Sequence, residues 1–134
     1  MAFSKSLISG DTSDGNDGNN YMLSEEQFHE CFSDESFILK FQQQIAKDFN
    51  SNGLSMSQLF EEVPLTVDVI FDAIQTKVME AVQQGETQLL QLLYSIDIPQ
   101  QQFLDSINEP DFIFRLSETI LRREAYKVFA RDTF

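Results

Sequence analysis

The chain has no Trp, one His, one Cys, three Pro, and only 9 basic residues against 22 acidic ones in 134. Each scarcity excludes something. The single cysteine, Cys31, leaves no internal disulfide, which argues against a small secreted scaffold held by bridges, and it reads as a small core residue. The single histidine, His29, with Glu26 supplies only half of a helical di-iron motif, which needs a second Glu-x-x-His. His29 and Cys31 stand two apart, so a helix would point them in different directions and not pair them as base and nucleophile. A net charge of −13 opposes binding to nucleic acid or to an anionic membrane surface. No apolar run approaches the roughly 18 residues of a membrane span, and the N-terminus does not read as a signal peptide. There is no phosphate loop, dinucleotide fingerprint, nucleophile elbow or zinc spacing. The expectation is a soluble cytoplasmic protein with no catalytic residues and no cofactor, and with neither nucleic acid nor membrane as a partner.

What is present is apolar periodicity of the helical kind. Residues 9 to 20, "SGDTSDGNDGNN", hold no apolar side chain, so segment 1–22 is expected to be a flexible tail ahead of one helical domain at 23–134. Ser24 and Gln27 form a capping-box pattern, with Leu23 and Phe28 as a hydrophobic staple. Phe37, Phe41, Ile45 and Phe49 then recur at core-facing spacing in a helix from about Glu35 to Phe49. After "NSNG", Ser55 and Gln58 repeat the helix-start signal, with Leu54 and Leu59 as a second staple pair. Pro64 and Gly85 bound a long amphipathic helix through Ile70, Ile74 and Val78, and a leucine-rich helix follows to Ile96. Asp97 is expected to cap a short helix with Pro99 in its first turn, and a last helix spans about Pro110 to Arg131. The predicted fold is all-α, a compact bundle of five to seven helices.

"DFNSNGLSMSQLF" places Asp48, Asn50, Asn52 and Gly53 at positions 1, 3, 5 and 6 of a calcium loop. Position 12, which needs a bidentate Glu, is Leu59, so capping explains the stretch better, and a degenerate calcium site remains the alternative reading. Asp68 and Asp72, one turn apart, read as a solvated acidic face; with Asp97 they are the residues an enzyme built on carboxylates would use. Residues 1–114 carry 4 basic and 19 acidic side chains, a net of −15, whereas residues 115–134 carry 5 and 3, a net of +2. The last helix is therefore a cation-rich element that either lies against an acidic body or docks a partner. Thirteen Phe are more than a narrow core stripe requires. Phe112 and Phe114 in "DFIFRL" do not both fit one helix face. Phe112, Phe114, Arg122, Arg123, Lys127 and Phe134 form the expected interface for a protein partner or a second copy.

"ETQLLQLLYSIDIPQQQF" and "LSETILRREAYKVFARDTF" together resemble, over about residues 57–134, small uncharacterised bacterial helical proteins. Those carry a Leu-Leu-Tyr-x-Ile-Asp string and a C-terminal Arg-Glu-x-x-Lys helix. The resemblance implies a helical C-terminal module and no activity. Tyr94, Asp97 and Arg122 are then either a ligand site or a structural network. The function expected is association without catalysis, as an acidic helical adaptor, regulator or homo-oligomer.

Overall fold

The computed structural model describes residues 23–133, and the regular structure among them is entirely helical. The expected flexible segment 1–22 and Phe134 lie outside the described residues. Helices α1 (Glu25–Cys31), α2 (Glu35–Asn50), α3 (Val67–Gln84), α4 (Glu86–Ile96), the short α5 (Gln101–Leu104) and α6 (Phe112–Thr133) follow in order, with a 3-10 turn at Gln58–Glu61. The long α6 packs against α3 and α2, and the buried apolar side chains make one cluster.

Local chemistry accounts for most boundaries. Ser24 Oγ accepts from Gln27 N and Gln27 Oε1 accepts from Ser24 N, both at 3.1 Å, while Leu23 and Phe28 are buried as the staple. A cap of this kind stabilises by about 1 kcal/mol. Asp34 caps α2, whose stripe Phe37, Phe41, Ile45 and Phe49 is buried. Phe32 stacks on Phe28 at 4.4 Å between centroids and meets Phe41 edge-on at 4.9 Å, a geometry that suits the ring quadrupoles. Thr66 caps α3, which ends at Gly85, whose φ of 125° is one that side-chain-bearing residues rarely adopt. Gly85 is also the residue before α4, so one glycine turns the chain between two helices.

Two expected helix starts are placed differently. The second capping box does not form: Ser57, not Ser55, caps the 3-10 turn through Leu59 N, and Leu59 is exposed where Leu54 is buried. Asn50 Oδ1 takes Met56 N at 2.8 Å, which holds the loop extended past Ser55. Gln42, fully buried, donates to Phe60 O and Val63 O and accepts from Leu65 N at 2.6 Å, so one amide fastens the loop to α2. Asp97 is not a helix N-cap; it closes the end of α4, and α5 starts without a side-chain cap.

Candidate functional site

The end of α4 is the place where separate parts of the chain converge. Asp97 adopts a left-handed backbone, φ 74° and ψ 44°, where Gly or Asn is usual. Its N–H donates to Tyr94 O at 3.1 Å, and Ile98 N donates to Leu93 O at 2.9 Å, burying Ile98 as the helix ends. The last carbonyls of α4 are satisfied from α6. Arg123 Nε donates to Ile96 O at 3.2 Å and its Nη2 to Asp97 Oδ2 at 3.0 Å, while Lys127 Nζ reaches Ser95 O at 3.5 Å. Arg123 and Lys127 are four apart and share a helix face, and their charges complement the negative end of the α4 dipole. The Leu-Leu-Tyr-x-Ile-Asp string and the Arg-Glu-x-x-Lys string are therefore two halves of one helix-closing contact.

Beneath this contact lies a buried ionic cluster. Lys127 Nζ is 2.6 Å from Asp48 Oδ2 and 3.2 Å from Glu124 Oε1. Gln44 donates to Asp48 Oδ2 at 3.2 Å and accepts from Arg131 at 3.0 Å. Glu124 is fully buried. Burial pushes its carboxyl well above the ordinary range; the nearby Asp48 charge pushes the same way, and Lys127 only partly opposes them. Burial alone would lower the Lys127 ammonium, but the two carboxyl groups outweigh it and hold Lys127 above its ordinary value.

Above the cluster, Tyr94 is 80% exposed on the outer face of α4. It borders two open grooves. One, of about 410 Å³, is lined by Asn52, Thr87, Leu90, Gln91, Ser95 and Gln100 as well as Tyr94. The other, of about 700 Å³, is lined by Asp97, Ile98, Pro99, Gln101 and Arg123, with Tyr94 and Gln100 shared. The Asp97 side chain keeps 78% of its surface in solvent despite its pairing. The arrangement offers an aromatic face, a carboxylate and amide donors and acceptors, which suit recognition of a ligand.

The sequence-expected residues separate into distinct places. Asp48, Asn50 and Asn52 do not converge on a common centre. Asp48 faces Lys127, Asn50 holds Met56 N, and the Asn52 amide donates to Asp48 O at 2.7 Å and Ser95 Oγ at 2.9 Å. Asp68 and Asp72 are exposed on α3, whereas Asp97 is at the end of α4. Among the described residues no group of three or more His, Cys, Asp or Glu is placed to hold a metal ion. Of the interface set, Phe112 is buried edge-on to Phe103, and Phe114 is half-buried edge-on to Phe71, so both rings find neighbours on different sides of α6. Arg122 is buried and donates to Leu23 O, tying the start of α1 to α6; Arg123 is the arginine that meets Asp97. Cys31 is half-buried and free, and burial, with Glu30 and Asp34 nearby, pushes its thiol up, away from reactivity. Glu124 was not anticipated as part of a site. Its signal was its register, since Ile120, Leu121, Ala125 and Val128 surround it at helical spacing and place a carboxyl inside the apolar stripe. No helix among the described residues is long and apolar enough to cross a membrane. No family model matches the chain, and no match is found among curated proteins or solved structures.

Proposed function

We propose that this protein acts by protein–protein association, without catalysis, as a cytoplasmic adaptor or regulator whose docking surface centres on Tyr94. The observation that carries the reading is the 80% exposure of Tyr94 between two grooves, on a helix end held by Arg123 and Lys127. Tyrosine on a rigid frame supplies contact area at small entropic cost and is over-represented among the residues that dominate interfaces. Self-association is the second form of the same reading, and a net charge of −13 opposes it.

Photo-crosslinking from position 94, with a benzophenone amino acid in place of Tyr94, tests the proposal. Position 79 is the control, because Met79 is also exposed, but on α3. Discrete adducts from 94 and none from 79 are the expected result; equal labelling or none would overturn it. Light scattering on the purified chain at several concentrations then separates a second copy from a different protein.

A further inference from the structure

We propose that the occupant of the Tyr94 surface is a basic segment of a partner protein, with an Arg or Lys stacked on the Tyr94 ring and paired to Asp97. This deepens the association reading and rests on it. The inference starts from where the positive charge of the C-terminal helix goes. Arg115 pairs with Glu109 and Asp111, Arg123 with Asp97, and Lys127 with Asp48 and Glu124; Arg122 is buried on Leu23 O and Arg131 is bonded to Gln44. Three of the five cations of α6 are thus paired with the chain's own carboxylates, and Arg122 and Arg131 are bonded to a carbonyl and an amide.

The chain as a whole is acidic, and at the Tyr94 grooves the one lining carboxylate among the described residues, Asp97, is paired on one side with Arg123 and open to solvent on the other. An exposed tyrosine face attracts a guanidinium or ammonium through its quadrupole. Asp97 follows three residues after Tyr94, lines the adjoining groove, and leaves 78% of its side chain in solvent. Its left-handed backbone is held by the closed end of α4, so the carboxylate is fixed in place before a ligand arrives. On the other side, the Gln91 amide and the side-chain carbonyl oxygens of Asn52 and Gln100, whose amide nitrogens are bonded within the chain, can meet an extended peptide backbone, and the exposed Glu86 adjoins Thr87 at that rim. The long-range field of a −13 chain steers a basic segment toward the protein, and the aromatic–carboxylate pair specifies where it lands.

The probe is a fluorescein-labelled peptide of alternating Arg and Ser, titrated with the full chain and read by anisotropy at low and physiological salt. A peptide of the same length with citrulline for Arg is the comparison. Expected are saturable binding of the Arg peptide, none of the citrulline peptide, and about threefold weakening by Tyr94→Ala. Tyr94→Phe should bind as the parent does, because the ring face remains. Asp97→Asn, which tolerates the left-handed backbone, should weaken binding by a similar factor. The double variant Asp68→Asn/Asp72→Asn removes two charges from α3 and should leave the affinity within about twofold at physiological salt. Equal losses from the α3 and Tyr94 variants would show diffuse attraction to an acidic body and overturn the site. Absence of Arg-peptide binding overturns the basic occupant, while crosslinks from position 94 would leave the association reading standing.

Discussion

The two ends of α2 show two ways of burying a helix bundle. At its start, Phe28, Phe32, Phe37 and Phe41 interlock as rings, with no ion pair between them. At its far end, Asp48 meets Lys127 and Glu124 from α6 and Gln44 from its own helix. The first contact is non-directional and tolerant of solvent conditions. The second is directional, depends on pH, and carries the fixed helix end on which Tyr94 is displayed. The proposed recognition surface thus stands over the ionic end, where groups must hold one geometry, and not over the aromatic end, where rings can repack.

The largest expected effect breaks the aromatic end. Phe41→Ala should cost about 3–5 kcal/mol in urea unfolding, by about the same amount across neutral and alkaline pH. Lys127→Met breaks the ionic end by leaving the Asp48 carboxylate without its cation, and should cost about 2–3 kcal/mol, with Asp48→Leu in the same chain recovering most of it. A loss from Lys127→Met that the second substitution does not recover would place the contribution of Lys127 in its bond to Ser95 instead.

Glu124→Gln sharpens the contrast through pH. In the unfolded chain this carboxyl titrates near its ordinary 4.5, whereas in the fold it holds its proton to a higher pH. Between those two values unfolding releases a proton, so stability falls as pH rises, by up to about 1.4 kcal/mol per unit. Glu124→Gln should flatten that slope and be more stable than the parent on the alkaline side of the window, as urea midpoints across pH would measure. Lys127, held above its ordinary value, adds a further loss at higher pH in the parent. Equal slopes in parent and variant would remove Glu124 as the source. The smallest effect is on the surface: Tyr94→Ala should change stability by less than about 0.5 kcal/mol, which keeps it usable as a binding variant.

How far these features were legible depends on how far apart in the chain their causes lie. The Ser24–Gln27 box, the helix between Pro64 and Gly85 and the Phe37–Phe49 stripe each follow from residues within a few turns and are read directly, while the Thr66 cap of that helix is seen only in the structure. The second Leu-Ser-x-x-Gln string has the same local pattern as the first, yet it makes no box, because Gln42 and Asn50 hold its backbone in another path. Asp97 has the side chain of an N-cap but closes the preceding helix, because Arg123, 26 residues later, takes its carboxylate. Register alone places Glu124 in an apolar stripe, but its meeting with Asp48 and the exposure of Tyr94 were outside local reach: Tyr94 stands between two grooves that exist only once the end of α4 meets Asn52 after α2 and Arg123 of α6.

The sequence by itself determined that the chain is acidic and helical, where most helices start and stop, and which faces turn inward. These follow from propensity, capping and periodicity, whose range is a turn or two. Only the tertiary structure decided where the positive charge of α6 is used, which carboxyl is pushed above its ordinary range, and which aromatic ring faces solvent. Those outcomes depend on groups tens of residues apart, and a charge or a ring acquires its energy from the neighbours it meets, not from its place in the chain.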